Sequence, residues 1–594
     1  MSRPADDLHS AWAQLLAAAL AQCGVAQAVI SPGSRSTPLA LALAAQLPTT
    51  VLHDERVAAF FALGQARATG RVSVVLATSG TAAGHWLPAA MEAREAGLPL
   101  LLLTADRPWE VQQAQASQTV DQVRLFGHHA NACFELGVPD AHPAALRAVP
   151  RIAAQAVLAT QYPLAGAVQL NAHFRKPLEP QPRTGQEAWW ADWQTVAQAG
   201  APRLWPTLAQ PQSAAVADLV ARVRAAPRGL LVAGPAPAPQ AEAYRAAVRR
   251  FAAASGYLLL AEASSQLRFG SDVPAICGSF DALLRAPELR RRLRPDLALE
   301  IGAPAVSAQW LAWADGGEAP PRLVLPGPRP ADPAGGALGM WLGPVAALLD
   351  AAAAELESTP DAVAAAAYRA AWLSAEAAAW AARAAALPLA SPLHECQVAP
   401  ALRAALPAGA WLAIGNSSPV RDLDHDLSPD SRLLTLLHQR GVAGIDGLVA
   451  GAAGARSVIT PPLALLLGDV SLLHDVGGLA AAAAVHGPLP IVVVHNDGGR
   501  IFERLPLGRD DSMAAARDTL FVVPHGRTLQ GLADTWGLPY RRVQTPAELS
   551  EALAAALADD RAWLIEARVA PGGSAQRASL LAAMAAAGKS AVAA

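Results

Sequence analysis

Twelve short apolar runs recur along the chain. QAVISPG, VSVVLATSG, LPLLLLTAD and GAVQLN lie in the first third, RGLLVAGP, GYLLLAE, DLALEIG and RLVLPG in the middle, and AWLAIGNS, LALLLGDVS, LPIVVVHND and AWLIEARV in the last. Within each run the residues are apolar without alternation, the pattern of a strand covered on both faces. Alanine-rich amphipathic stretches separate the runs and supply the covering helices. The expected fold class is therefore α/β, with doubly wound parallel sheets. Proline and tryptophan cluster in KPLEPQPRTGQEAWWADWQ, near 176–194, and again around 353–395, where YRAAWLSAEAAAWAARAAA reads as a connecting helix. These linkers divide the chain into three domains, 1–185, 205–350 and 375–594.

The first and last domains carry a common pattern. An ungapped superposition puts Leu98-Pro99 on Leu489-Pro490 and Asp106 on Asp497, so that strand, polar turn, helix, Leu-Pro, strand and Asp follow in the same order. This points to a duplicated fold with different chemistry in its two turns: TSGT is neutral, whereas GDVS has Asp469 where the other has Thr78.

Composition narrows the function classes. A chain of 594 residues exceeds what one core can fill. Hydrophobic residues make up 53% and charged residues 16%, which suits packed domains throughout. A net charge of −3, from 46 basic and 49 acidic residues, provides no field for nucleic acid or anionic lipid. Cys23, Cys133, Cys277 and Cys396 are scattered without a CxxC pair, as in a reduced compartment, and the His128-His129 and HEC (394–396) groups lack metal-ligand spacing. Asp6, Asp7 and His9 interrupt the N-terminus where a signal peptide would be apolar, and the apolar runs are too short to span a bilayer. The expectation is a cytoplasmic protein that binds neither membrane nor nucleic acid.

Two strand-end motifs in the third domain carry candidate metal chemistry. GDVS (468–471) closes one strand and HNDGG (495–499) the next, with Asp469 and Asn496 separated by 27 residues, about one strand–helix–strand circuit. Ligands of open α/β sheets bind at the carboxyl ends of strands, so both side chains are expected in one crevice. A carboxylate, an amide oxygen and a backbone carbonyl are hard ligands suited to magnesium bearing a phosphate. Two unrelated tight turns would read the same way, because Gly-Asp and Asn-Asp-Gly are common turn formers. A second question arises at VLHDERVAAFF (51–61), where Asp54 and Glu55 precede an apolar helix. Acids in a first helical turn commonly serve as caps.

Together these motifs resemble the thiamine diphosphate-dependent enzymes, whose signature is Gly-Asp-Gly followed one circuit later by Asn. Val470 replaces the second glycine here and His495 the common first asparagine. The resemblance implies a pyrimidine domain, a middle domain and a diphosphate domain. It also implies Mg2+ (with Mn2+ as a possible substitute) on Asp469, Asn496 and Gly498, and cofactor contacts from Thr78, Ser79, Gly80, Ser417, Gly468, Val470, Ser471, Ile501 and Phe502. Glu55 stands where that family puts the acid that contacts a pyrimidine ring nitrogen of a cofactor held by a partner chain. Buried against the ring, such a carboxyl would have a raised pKa and favour the tautomer that deprotonates the thiazolium carbon. The implied assembly is a homodimer or tetramer with its active site at a subunit interface.

ISPGSRSTPLALAL (30–43), LLTADRPWE (102–110), GNSSPVRDLD (415–424), QRGVAGIDG (439–447) and NDGGRIFERLP (496–506) are similar, more narrowly, to the menaquinone-pathway synthases of that group. The implied reaction is decarboxylation of 2-oxoglutarate and conjugate addition of the succinyl unit to isochorismate. Arginine suits these dianionic substrates because it pairs bidentately with carboxylates. Arg35, Arg107, Arg421 and Arg440 fall in such loops; Ser34 and Gln118 are expected on the isochorismate side, and Ser417 with Arg421 on the succinyl carboxylate. Ile501, Phe502 and Leu505 would wall the thiazolium, unless they are ordinary core. The family's middle-domain lysine has no counterpart: VSAQWLAW offers Ala308 and Gln309. LLVAGPAPAP lacks a GxGxxG fingerprint, so the middle domain is expected to carry no cofactor. The alternatives are another thiamine diphosphate-dependent carboligase, or a catalytically silent homologue serving as a binding subunit.

Overall fold

All twelve apolar runs form inner strands. The computed structural model describes residues 7–182, 187–207, 209–270, 275–357, 365–387 and 392–593. It contains three six-stranded sheets whose strand pairs are parallel. The first runs, in spatial order, Thr49–Val51, Gln27–Ile30, Ser73–Ala77, Leu100–Asp106, Ala167–His173, Cys133–Glu135. The third runs Leu434–His438, Ala410–Ile414, Leu463–Gly468, Leu489–His495, Ala562–Arg568, Tyr540–Val543. Numbered within each domain, both orders are 2-1-3-4-6-5, as duplication requires, whereas the middle sheet (229–342) is 3-2-1-4-5-6. In each sheet the strands missing from the apolar pattern are the two at the edges, although the end of Thr49–Val51 reads as strand-like.

Two compact units result: one joins 1–207 to 439–460 and 475–486, and the other joins 208–438 to 461–474 and 487–594. In the first, the helix Glu55–Thr69 is buried along most of its length and ends on Gly70 in the left-handed conformation. It crosses the helix Leu448–Arg456 at backbone contact. A Cβ on Gly64 would lie 2.0 Å from the Gly451 carbonyl oxygen, and one on Gly454 would lie 2.0 Å from that of Phe61. Gly64→Ala is therefore expected to cost stability by about 1–3 kcal/mol as the helices are forced apart. A denaturant-unfolding midpoint equal to the parent's would contradict this contact.

The linker near 176–194 is only partly a linker. Residues 183–186 lie outside those described, and a helix begins at Trp189 (Trp189–Ala199). That helix is docked by Trp193, which stacks on Trp190 and donates its indole N–H to the Ala11 carbonyl at 2.8 Å. The expected connecting helix is Ala365–Ala386, in the second unit, where it packs along Gly573–Ala593. In the same unit the fully buried Arg268 donates to the carbonyls of Ala261, Gly278, Asp424 and Leu427 and pairs with Asp424 at 3.2 Å. It thereby ties the middle sheet's loops to the helix Ser418–Asp426 and satisfies carbonyls that burial would otherwise leave costly. No described helix is long and apolar enough to cross a membrane.

Candidate functional site

In the first unit the parallel strands bring the turns after Ile30, Ala77 and Asp106 to one sheet edge. Gly33 is needed there: a Cβ would meet that of Thr78 at 2.3 Å, while Arg35 N donates to Thr78 Oγ1 at 3.2 Å. Ser79 Oγ donates to the Gln118 carbonyl at 3.1 Å, and Gln118 Nε2 donates back to the Ser79 carbonyl at 3.0 Å. Gly80, at φ +89°, donates its N–H to Gln122 Oε1 at 3.0 Å, and Arg107 Nε reaches the Gln118 carbonyl at 3.4 Å. Arg35, Thr78, Ser79, Gly80, Arg107 and Gln118 thus share one locus, with Ser34 exposed in the same turn. Arg35 is buried, its Nη1 donating to the Phe174 carbonyl at 2.5 Å and its Nε having no partner. Burial and the neighbouring Arg107 lower its pKa, with partial relief from Asp106. These are the marks of a cation awaiting an anion.

Glu55 opens its helix after the edge strand Thr49–Val51, on the same carboxyl edge. The capping is done by Asp54, whose carboxylate accepts Arg56 N at 2.9 Å and pairs with the Arg56 guanidinium at 2.6 Å. The half-buried Glu55 carboxylate makes no hydrogen bond among the described residues. Arg440 belongs to this unit too, on a segment that Glu92 holds through the N–H groups of Gly441 (3.1 Å) and Val442 (2.7 Å). Arg421 does not; it lies in the second unit.

Asp475, also in the first unit, went unnoticed in the sequence. Its Oδ2 accepts Val449 N at 2.8 Å and Ala450 N at 2.9 Å, and burial pushes its pKa up to about 7 despite both bonds. A folded-state pKa above the unfolded value gives stability that is full below about pH 4 and lost as pH rises through 7. Asp475→Asn should flatten that decline, read as melting temperature between pH 5 and 8. Parallel curves for the two proteins would refute the assignment.

In the second unit the metal-type motifs meet. Gly468 ends its strand and the buried Asp469 opens the next helix, with Ser471 buried and Val470 exposed. Asp469 Oδ1 accepts Val470 N at 2.8 Å; Oδ2 accepts Asp497 N at 2.7 Å and Gly498 N at 3.0 Å. Gly498 therefore turns its N–H, not its carbonyl, to the carboxylate, and that carbonyl accepts Arg500 N at 2.8 Å. Asn496 commits Nδ2 to Glu395 Oε1 at 2.7 Å. Two histidines complete the cluster. His495 Nε2 lies 3.8 Å from Asp469 Oδ2, His525 Nε2 lies 3.2 Å from it, and the two rings stack at 5.1 Å. His495 is noticeable in the sequence only as a departure from a pattern, and His525 carries no spacing signal. His495 Nδ1 bonds Glu566 Oε1 at 2.8 Å, leaving Nε2 buried without a hydrogen-bond partner. Burial pushes Glu566 up, but bonds from His495, Tyr540 and Leu529 N outweigh it and hold that carboxyl at about 2. A buried carboxylate beside an orphaned imidazole nitrogen fits a divalent cation.

The same unit holds a cavity of about 660 Å3 between the middle and third sheets' loops. Arg285, Arg421, Arg504, Arg517 and Arg577 line it; Arg285 pairs with Asp281, Arg504 and Arg577 with Asp422, and Arg517 with Asp518, whereas Arg421 makes no ion pair among the described residues. Arg421 Nη1 donates to the Ser417 carbonyl at 2.6 Å, and Arg504 Nη2 donates to Ser418 Oγ at 3.1 Å. Both guanidinium groups thus converge on a turn where Ser417 adopts φ +68°, ψ −124°, a strained conformation of the kind kept at functional sites. Ile501 and Leu505 line the cavity as an apolar wall, while the Phe502 ring packs on Phe521 at 5.5 Å. Ala308 and Gln309 also face the cavity, and Arg285 lines it with them.

Comparison with known proteins gives a consistent result. Residues 11–125 match the family described as thiamine pyrophosphate enzyme, N-terminal TPP binding domain. A 2-succinyl-5-enolpyruvyl-6-hydroxy-3-cyclohexene-1-carboxylate synthase from Sorangium cellulosum is 46% identical, over 97% of this chain and 95% of the relative. The protein of that name from Myxococcus xanthus is 39% identical over 95% of each. Among solved structures, the thiamine diphosphate-dependent 4-hydroxybenzoylformate decarboxylase of Rhodococcus jostii RHA1 superposes with a TM-score of 0.70. It covers 95% of this chain and 99% of that one at 18% identity, a likeness of fold.

Proposed function

The chain belongs to the 2-succinyl-5-enolpyruvyl-6-hydroxy-3-cyclohexene-1-carboxylate synthase family, and on that premise we propose that it decarboxylates 2-oxoglutarate and adds the succinyl unit to isochorismate in menaquinone biosynthesis. The observation that carries the substrate class is the arginine-lined cavity in which Arg421, with no ion pair among the described residues, can meet a substrate carboxylate.

Thiamine diphosphate, when bound, supplies the carbon nucleophile and the electron sink for decarboxylation. Domain 1–185 would receive its pyrimidine through Thr78, Ser79 and Gly80, and Glu55 would hold and return a proton at a ring nitrogen. Domain 375–594 would hold its diphosphate through Mg2+, or Mn2+ in its place, with Asp469, Asn496 and Gly498 beside Gly468, Val470 and Ser471. Domain 205–350 contributes no cofactor contact. Arg421, with Ser417, takes the succinyl carboxylate, while Ile501 and Leu505 keep water from the reacting carbon. Arg35, Arg107, Arg440, Ser34 and Gln118 hold the isochorismate carboxylates and hydroxyl. Arg285 supplies the cation that Ala308 does not. The protein acts in the cytoplasm as a homodimer or tetramer with the site between subunits, apart from membranes and nucleic acid.

Arg421→Ala should raise KM for 2-oxoglutarate by about tenfold to a hundredfold, the scale of one charge-assisted hydrogen-bond pair. Steady-state decarboxylation assays measure it, and an unchanged KM would remove Arg421 from the site. The deciding experiment for the reaction follows loss of isochorismate absorbance with 2-oxoglutarate, thiamine diphosphate and Mg2+ present. Equal rates with pyruvate would point to a different carboligase. No rate, together with no rise in melting temperature on adding cofactor and Mg2+, would point to a catalytically silent subunit.

A further inference from the structure

We propose that Asp469, His495 and His525 form a binding site for a first-row transition-metal dication, favoured over magnesium by its two imidazole nitrogens. The proposal deepens the metal assignment made above and rests on it, because Asp469 is common to both.

The donor atoms are already gathered. Asp469, His495 and His525 each offer one donor atom within 4.8 Å of the others, and the two Nε2 atoms lie 3.8 and 3.2 Å from Asp469 Oδ2. Ligands about 2.1 Å from a shared ion stand about 3.0–3.5 Å apart in octahedral or tetrahedral sites, so small side-chain adjustments close the set. Magnesium prefers oxygen donors and retains its waters; imidazole is a ligand for manganese, cobalt, nickel and zinc.

The His495 ring is set for this role. Its Nδ1 faces the Glu566 carboxylate at 2.8 Å, so in the neutral ring Nδ1 is the donor and Nε2 presents the lone pair. The lone pair is buried without a hydrogen-bond partner, and the nearest polar atom, Asp469 Oδ2, is itself an acceptor at 3.8 Å. Only a cation or a donor relieves such a pair of acceptors. Glu566 is in turn fixed by Tyr540 Oη at 2.5 Å and Leu529 N at 3.1 Å, a carboxylate–histidine support of the kind that orients metal ligands. Asn496 is held in a like manner, its Nδ2 donating to Glu395 Oε1 at 2.7 Å, which leaves Oδ1 as the oxygen donor of the assignment above.

The test uses the full-length protein stripped with a chelator and free of thiamine diphosphate. Cobalt(II) is titrated by its visible ligand-field bands and magnesium by calorimetry. Cobalt(II) is expected to bind at least about a hundredfold more tightly, the upper range for a set of supported imidazole ligands. His525→Gln, a half-buried loop position, should weaken cobalt(II) by about tenfold or more and alter its bands while magnesium affinity holds. Zinc competing for one site per chain in the unaltered protein gives the same answer without any variant. Equal affinity for the two ions, or bands indifferent to His525→Gln, overturns the proposal. If magnesium and thiamine diphosphate still raise the melting temperature in that case, only this inference falls. If no dication binds at all, the metal assignment of the proposed function falls with it.

Discussion

Glu55→Gln is expected to lower kcat by about a hundredfold or more, the scale of a lost general acid–base group, while thiamine diphosphate affinity stays within a few-fold. The structure makes this substitution a clean one. Asp54, not Glu55, caps the helix and pairs with Arg56, so neutralising Glu55 leaves the helix start intact. The isosteric amide keeps the volume of a half-buried side chain that has no hydrogen-bond partner among the described residues to lose. Cofactor titration by fluorescence and single-turnover decarboxylation of 2-oxoglutarate separate binding from chemistry. A variant with a near-normal single-turnover rate would deny Glu55 its proton-transfer role.

Asp469→Ala is expected to act on retention rather than turnover, weakening Mg2+-dependent cofactor binding by about a hundredfold or more, because the charged ligand proposed above would be gone. A second effect accompanies it. The N–H groups of Val470, Asp497 and Gly498 all bond to this carboxylate, so its removal strips the 496–498 loop of its anchor. Asp469→Asn separates the two effects, since the amide oxygen can accept some of these bonds but lacks the charge. Calorimetric titration of thiamine diphosphate at several Mg2+ concentrations provides the measurement. Undiminished magnesium-dependent binding in Asp469→Ala would exclude the residue as a ligand.

Much of the site was legible because parallel sheets place every strand's carboxyl end on one edge. Once the runs ending at Ile30, Ala77 and Asp106 are strands, Arg35, Thr78 and Arg107 must neighbour one another, and they do, with Gln118 bonded across to Ser79. The same logic brings Asp469 to the 496–498 loop. It does not reach His525, which comes from a loop beyond the next strand position, nor Arg285 and Arg504, which meet Arg421 only where middle and third sheets' loops face each other. Nor does it separate Phe502, whose ring packs on Phe521, from Ile501 and Leu505, which line the cavity.

The sequence by itself determined the inner strands, the duplication of the first and third domains, and the strand-end residues; the shared 2-1-3-4-6-5 order came from the structure. These follow from local rules: a strand buried on both faces must be apolar throughout, and a strand end must turn. The tertiary structure alone decided the edge strands. Cys133–Glu135 and Tyr540–Val543 have one neighbour and partial exposure, so no apolar run marks them; Leu434–His438 is buried, but Thr435 interrupts its pattern. It alone decided that 439–460 and 475–486 join the first unit, carrying Arg440 with them, and that His525 and Glu566 join His495 around Asp469. Such convergence depends on where several loops of unrelated sequence end in space, and no periodicity along a single chain segment encodes that.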